Sequence, residues 1–135
     1  MKAHLLTELR RADEAVAVLD RAVGLYPESA PARAGRGVLL ARRGNRDAAV
    51  RDAKDALLLD TRAPNTYQVA CVYALTSPGR PDDRREALAL LWAALRTGYG
   101  LDLVETDTDL DPIRPDPEFR RVVERARELQ RAPRQ

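Results

Sequence analysis

The chain is poor in the residues that many catalytic, redox and metal-binding domains depend on. Its 135 residues include one cysteine and one histidine, and its aromatic residues are four Tyr, one Trp and one Phe. Cys71 alone excludes an intrachain disulfide, and with His4 it falls short of the about four ligands of a structural zinc site. The longest apolar run, residues 87–95, is much shorter than the roughly 18 residues of a membrane span. The sequence therefore predicts no metal, no cofactor and no membrane segment.

Charge of one sign is not concentrated anywhere along the chain. Lys and Arg number 23 and Asp and Glu 21, giving a net charge of +2 with the signs interleaved. This pattern is typical of solvated helix faces, whereas nucleic-acid binding favours a basic patch with aromatic side chains that stack on bases. No serine–histidine motif or Gly-rich phosphate loop is found, so the sequence does not favour an enzyme. The short, polar N-terminal stretch is no secretory signal, which indicates a cytoplasmic protein.

A 34-residue repeat is the main positive signal. Hydrophobic residues make up 44% of the chain, and with so few aromatics the core must be built from Ala, Leu and Val. Such residues recur 34 positions apart: Ala15, Leu19, Ala22 and Leu25 correspond to Ala49, Ala53, Ala56 and Leu59. A period of this length predicts stacked helical hairpins.

Caps and breakers divide the chain into helices. Ser, Asp and Asn favour helix starts, Gly favours helix ends, and the residue before a proline disfavours helix. We expect the end of a helix at 2–10 and a turn near Arg10 to Ala12. Four helices should follow at about 12–25, 29–43, 46–59 and 65–76. A further helix is expected to be capped by Asp82 or Asp83 and to end at Gly98, and Asp116 is expected to cap the last helix. The last helix is expected to bury a stripe of Phe119, Val122, Val123, Ala126 and Leu129.

These positions resemble the tetratricopeptide repeat, a helical hairpin with small residues at fixed places. The matching residues are Ala15, Leu19, Ala22 and Pro27, then Gly37, Leu40, Gly44, Ala49 and Ala56, then Val69, Ala70, Tyr73, Ala87, Leu91 and Ala94. The resemblance implies an all-α fold: a right-handed α-solenoid of about three hairpins, in units of about 1–28, 29–62 and 63–98, with a C-terminal cap at 99–135. Arg33, Arg36 and Thr61 depart from the family pattern. The first unit lacks most of its first helix, so we expect the C-terminal piece of a longer protein.

Two further stretches resemble the C-terminal repeats of bacterial serine/threonine protein kinases and related signalling proteins. They are residues 67–75, and Gly98-Tyr99 followed by residues 107–113 and 116–119. The catalytic motifs of a kinase are not found in this chain. The resemblance therefore implies a non-catalytic interaction module from a bacterial multidomain signalling protein.

Members of the repeat family have a concave groove lined by the first helix of each hairpin. By this resemblance the groove residues here are Ala34, Val38, Ala41, Arg42, Tyr67, Gln68, Cys71 and Leu75. We expect an extended or helical peptide of a partner protein to pack on Val38, Tyr67 and Leu75. Two alternatives stay open: the last helix folds back on the groove, or the array is a spacer or a homodimer that pairs through Leu5, Leu6 and Leu9.

The acidic loop near the C-terminus has the carboxylate spacing of a calcium loop. Asp107, Asp109, Asp111 and Glu118 stand at relative positions 1, 3, 5 and 12. A calcium loop needs Gly at position 6 for a sharp turn, but Pro112 occupies that position here. We therefore expect these acidic residues to cap short helical turns and to contact nearby arginines.

Overall fold

The structure is a computed structural model that describes residues 2–132, without the side chains of residues 2–6. The predicted all-α class is confirmed, because the described part of the chain contains helices and no strand. The helices are α1 (Lys2–Leu25), α2 (Ala30–Arg42), α3 (Arg46–Leu59), α4 (Ala63–Thr76), α5 (Pro81–Leu95), a 3-10 helix (Thr108–Ile113) and α6 (Pro117–Arg131).

Several predicted helix boundaries are confirmed by their capping bonds. The hydroxyl of Ser29 accepts a hydrogen bond from the backbone N–H of Ala32 at 3.2 Å, so it caps α2. Gly44 follows α2 with a φ of 80°, a left-handed conformation that glycine adopts at little cost. Asp116 caps α6 by accepting from the backbone N–H of Glu118 at 2.9 Å. Local sequence therefore sets the limits of these helices.

The predicted turn near Arg10 to Ala12 is wrong. α1 runs without interruption from Lys2 to Leu25, because the stretch around residues 10–12 has no Gly or Pro and consists of good helix formers. The described part of the first unit, residues 2–28, therefore contributes one long helix rather than part of a hairpin. The side chains of His4, Leu5 and Leu6 lie outside the described part, and the pairing predicted through Leu5, Leu6 and Leu9 stays a prediction.

The predicted start of α5 is also wrong. Pro81, not an aspartate cap, begins this helix, which ends at Leu95 rather than at Gly98. Asp82 lies in the first turn, and Asp83 points inward, where it is buried. The buried carboxylate accepts hydrogen bonds from Arg46 at 2.8 and 2.9 Å and from the Thr76 hydroxyl at 2.8 Å. Asp83 therefore joins α3, α4 and α5 instead of capping one of them.

Two helical hairpins form the centre of the molecule. α2 and α3 pack on each other across a short turn, as do α4 and α5, and α4 also packs on α2 and α3. Small residues allow this close approach: a Cβ at Gly37 would lie 3.2 Å from Val72 Cγ2 and 3.3 Å from the Ala49 carbonyl oxygen. The fully buried alanines of the hairpins are Ala49, Ala53, Ala56, Ala70, Ala74, Ala87 and Ala94.

The tail, residues 99–132, covers one side of the second hairpin. α6 packs on α5, and its buried residues are Phe119, Val122, Val123 and Ala126. Leu129 was predicted in the same stripe, but it is 52% exposed because it lies in the last turn, beyond this contact. The guanidinium of Arg125 lies 5.5 Å from the centre of the half-buried Trp92 ring, which adds a cation–π contact between α6 and α5.

Candidate functional site

The eight residues predicted to line a groove do not form one open surface. Arg42 and Gln68 are exposed and Leu75 is half-buried. The remaining five are buried: Ala34, Val38, Ala41, Tyr67 and Cys71. A partner therefore has direct access to only part of the predicted set.

The segment that covers α4 is the 3-10 helix. It packs directly on α4, and its Leu110 and Ile113 are fully buried together with Val104. The alternative in which the last helix folds back on the groove is therefore wrong in detail, since α6 packs on α5 and the preceding segment takes the position against α4. No local sequence pattern indicates this contact, because Tyr67 and Asp107, which join the two segments, are 40 residues apart.

Two of the predicted polar groove residues bind the tail. Arg42 donates to both carboxylate oxygens of Asp109, from Nε at 2.9 Å and from Nη2 at 2.7 Å. The Tyr67 hydroxyl donates to Asp107 Oδ2 at 2.9 Å, while Asp107 Oδ1 accepts from the backbone N–H of Asp109 at 3.0 Å. These donors, which would have been available to a partner, are thus engaged within the chain.

The same aspartates form a compact cluster with Cys71. Ligand atoms of Cys71, Asp107 and Asp109 lie within 4.8 Å of one another. Burial, followed by the neighbouring carboxylates, raises the pKa of the Cys71 thiol, so it stays protonated at neutral pH. Burial and the hydrogen bond to Asp107 likewise raise the pKa of Tyr67. The cluster is therefore a hydrogen-bonded network of a neutral thiol, a phenol and two carboxylates that Arg42 faces.

The structural interpretation of the acidic loop is confirmed. Asp107 caps the 3-10 helix and Asp109 binds Arg42, as described above. Asp111 pairs with Arg114 at 3.1 Å, and Glu118 pairs with Arg121 at 2.9 Å. The four carboxylates therefore have separate arginine or backbone partners.

An open cleft lies between the N-terminal turns of α2 and α4, and we call it the α2–α4 cleft. Its volume is about 520 Å³. The lining residues are Pro31, Ala34, Asp60, Arg62, Pro64, Asn65, Gln68 and Tyr99. Only Ala34 and Gln68 of these belong to the predicted set. Tyr99 reaches the cleft through a turn between two left-handed glycines, Gly98 and Gly100, which sequence reasoning did not connect to α4.

The polar groups of the α2–α4 cleft are neutral overall. Arg62 and Asp60 pair with each other, with Nη2 and Oδ2 at 2.8 Å. Asn65 Nδ2 donates to the carbonyl oxygens of Ala56 at 3.0 Å and of Asp60 at 2.7 Å, which ties the end of α3 to α4. The Oδ1 atom of Asn65 is buried and has no hydrogen-bond partner among the described residues. The cleft thus combines apolar and polar residues with one internal ion pair, and the Asn65 oxygen is enclosed rather than open to the cleft.

Comparison with known proteins gives no relative for this chain. A scan against protein-family models, a search of curated proteins and a search of solved structures each find no match. Within residues 2–132, no helix is both long enough and apolar enough to cross a membrane.

Proposed function

We propose that this chain is a non-catalytic protein-interaction module that binds a segment of a partner protein in the α2–α4 cleft. The observation that carries the proposal is the cleft itself, whose volume of about 520 Å³ lies in the usual range for ligand sites. Its walls come mainly from the first turns of α2 and α4, where Pro31, Ala34 and Pro64 alternate with polar residues such as Gln68. Such a surface suits a peptide better than a charged metabolite.

The proposal includes the repeat family and its architecture. The packing of α2 with α3, of α4 with α5, and of α4 on α2 supports an array of tetratricopeptide type. On this proposal residues 1–98 belong to a right-handed solenoid and residues 99–135 form its cap. The chain would then be the C-terminal part of a bacterial signalling protein, acting as a scaffold or adaptor.

The chemistry of the buried polar groups supports a role without catalysis. Cys71 is kept as a neutral thiol by its burial, and an activated cysteine nucleophile needs a lowered pKa instead. Arg42 and Tyr67 are bound to Asp109 and Asp107, so they do not point at an open reaction site. In the described residues we find no nucleophile–base pair facing the α2–α4 cleft.

The test is a selection of short peptides from a random display library on the full chain, followed by affinity measurements on two variants. Gln68→Trp places a large side chain in the α2–α4 cleft and is expected to weaken binding at least 10-fold. Leu58→Trp introduces the same side chain on α3, where Leu58 is 86% exposed outside the cleft, and is expected to leave binding unchanged. Equal affinities of both variants would remove the cleft from the proposal.

The competing function is a spacer or a self-associating element. Large apolar side chains on α1 favour it, since Leu9, Val18 and Leu25 are between 52% and 73% exposed. Light scattering across a wide concentration range distinguishes the two functions. A concentration-dependent dimer together with a failed peptide selection would support self-association, whereas a strict monomer that binds peptide would support the interaction module.

A further inference from the structure

A second open groove lies between α5 and α6, and we call it the α5–α6 groove. Its lining residues are Arg85, Leu88, Ala89, Trp92, Glu118, Val122 and Arg125. Its volume is about 380 Å³, and it shares no residue with the α2–α4 cleft. The two helices run in the same direction beside it, because Arg84 pairs with Asp116 near the start of both and Gln130 donates to the Arg96 carbonyl oxygen near the end of both.

The spacing of the lining residues fits a helix as the occupant of the groove. On α5 they span Arg85 to Trp92, and on α6 they span Glu118 to Arg125. Seven residues make about two helical turns, or roughly 10 Å of groove on each side. Ala89 is exposed in the middle of the α5 side, and its small side chain allows another backbone to come close. A third helix can therefore pack against α5 and α6 together.

The charges along the groove leave one cation without a counter-ion. Arg85 pairs with Asp82, and Glu118 pairs with Arg121 at 2.9 Å. Arg125 has neither a hydrogen bond nor an ion pair with any residue that the structure describes. α6 as a whole carries five Arg and three Glu, so its net charge is +2. The groove therefore attracts an anionic partner more than a cationic one.

The Trp92 ring holds the guanidinium of Arg125 in position. The guanidinium carbon lies over this ring, 5.5 Å from its centre. A guanidinium on an aromatic face keeps its planar fork of N–H groups available to both oxygens of a carboxylate. The contact with the ring also restricts the arginine before a ligand binds, so less side-chain entropy is lost on binding. A carboxylate is therefore the group that best completes this arrangement.

An apolar residue and a carboxylate one helical turn apart would match the groove. Leu88 and Val122 form its apolar floor, since they line the groove but are only 7% and 6% exposed. Arg125 lies one turn beyond Val122 on α6, as Trp92 lies one turn beyond Leu88 on α5. Residues three or four apart on a helix lie on the same face, about 5–6 Å from each other. One face of a helix can therefore reach the floor and Arg125 together.

We infer that the α5–α6 groove binds an acidic amphipathic helix of a partner protein. One apolar side chain of that helix packs on Leu88 and Val122, and a Glu or Asp side chain one turn away pairs with Arg125. The groove is separate from the α2–α4 cleft, so this inference goes beyond the proposed function and does not depend on it. The partner is defined by its chemistry, because only an acidic helix supplies both the apolar contact and the missing counter-ion.

The experiment starts from a display library of helical peptides selected on the Gln68→Trp variant, in which the α2–α4 cleft is blocked. The affinity of the tightest peptide is then measured for this variant and for two derivatives of it. Ala89→Glu places an acidic side chain in the groove, whereas Ala93→Glu places the same side chain on the exposed surface of α5 outside it. We expect Ala89→Glu to weaken binding at least 10-fold and Ala93→Glu to leave it unchanged.

A double-mutant cycle tests the ion pair itself. Each acidic residue of the peptide is replaced in turn by its amide, and Arg125 is replaced by Gln. We expect one peptide substitution and Arg125→Gln each to lower the affinity about 10-fold, and their combination to lower it no further, because both remove the same charge-assisted bond. Arg51→Gln is the control, since Arg51 is an exposed arginine of α3 with no ion pair to another described residue, and its loss should not change the affinity.

Several outcomes would overturn the inference. Additive losses from the peptide substitutions and Arg125→Gln would mean that no peptide carboxylate contacts Arg125. Basic peptides, or a selection without any binder that is sensitive to Ala89→Glu, would mean that the groove does not take an acidic helix. A wild-type dimer that Ala89→Glu dissociates in light scattering would assign the groove to a second copy of the chain. None of these results concerns the α2–α4 cleft, so the proposed function would stand or fall separately.

Discussion

At the scale of single residues, Gly100 lies against the ring of Tyr67. Its φ is 85°, and a Cβ there would lie 2.8 Å from two ring atoms of Tyr67. Gly100→Ala combines left-handed strain of about 1–2 kcal/mol with overpacking of about 1–3 kcal/mol. We therefore expect a loss of about 2–5 kcal/mol in the free energy of unfolding, measured by urea denaturation.

Gly44 is the matched control for that substitution. It has a similar φ of 80°, yet nothing lies within 4 Å of a Cβ placed there. Gly44→Ala should therefore cost only the left-handed strain, about 1–2 kcal/mol. Equal losses for the two variants would mean that the contact between Gly100 and Tyr67 is not tight.

Asp83 makes the stability of the protein depend on pH in the acidic range. Hydrogen bonds from Arg46 and then from Thr76 outweigh burial and lower the pKa of this carboxyl below its ordinary value. Because the folded-state pKa is the lower one, the stabilisation is complete above the unfolded pKa of about 3.9 and is lost as the pH falls below it. Asp83→Asn should cost about 1.5–3 kcal/mol at pH 7 and should make the decline of stability below pH 4 shallower.

The neighbouring carboxylate provides the comparison for Asp83. Asp82 is 89% exposed at its side chain and pairs with Arg85, whose side chain is 69% exposed. Asp82→Asn should change the free energy of unfolding by less than about 1 kcal/mol. If urea denaturation at pH 7 gives the same loss for both variants, burial is not the source of the Asp83 contribution.

At the scale of elements, the docking of the 3-10 helix on α4 depends on apolar burial more than on charge. Leu110 and Ile113 are fully buried, and truncation of such residues to Ala costs about 2–5 kcal/mol. The Arg42 side chain is 51% exposed and Asp109 14% exposed, so their bidentate pair should contribute about 1 kcal/mol, the upper end for solvent-accessible pairs. We expect Leu110→Ala to destabilise the protein several times more than Asp109→Asn.

The salt dependence of the two stability losses is a second way to separate apolar burial from the ion pair. Urea denaturation of both variants at low and high ionic strength should show that the difference between wild type and Asp109→Asn shrinks with salt, whereas the Leu110→Ala difference does not. A large, salt-sensitive loss for Asp109→Asn would instead make the ion pair the main attachment of the tail. Arg42 and Tyr67 were predicted to line the groove, but because they bind Asp109 and Asp107, Arg42→Ala and Tyr67→Ala would test this attachment.

The elements that could be predicted from sequence are those with local signals. Ser29, Gly44 and Asp116 set their helix boundaries through bonds to residues a few positions away, so composition alone was sufficient. The uninterrupted α1 was not predicted, because the repeat pattern required a turn near Arg10 although no Gly or Pro stands there to break the helix. The contact of Arg42 with Asp109 spans 67 residues, and no local pattern encodes it.

The candidate site was predictable only in part for the same reason. Ala34 and Gln68 were predicted only through the resemblance to the repeat family, which implies a groove along the first helix of each hairpin. Asn65 was expected only as the start of a helix, since the carbonyl groups that fix its amide belong to the end of α3. Tyr99 depends on the path of the chain after α5, which two left-handed glycines determine.

At the scale of the whole molecule, α4 is the centre and α1 the periphery. α4 packs on α2, α3, α5 and the 3-10 helix, whereas α1 packs mainly on α2. In stacked helical structures the elements with fewest neighbours open first. Hydrogen exchange followed by mass spectrometry should therefore show the strongest protection in α4 and the weakest in α1. Uniform protection of all helices would indicate a single cooperative unit instead.

The position of Trp92 gives the protein a built-in optical probe. It is the only tryptophan of the chain, and it lies between α5 and α6 under the guanidinium of Arg125. Its fluorescence therefore follows the attachment of α6 without any label, while the α2–α4 cleft is lined by Tyr99 and contains no tryptophan. A ligand confined to that cleft should leave the tryptophan emission unchanged. A shift in the emission on ligand addition would mean that binding in the cleft changes the packing of α6 on α5.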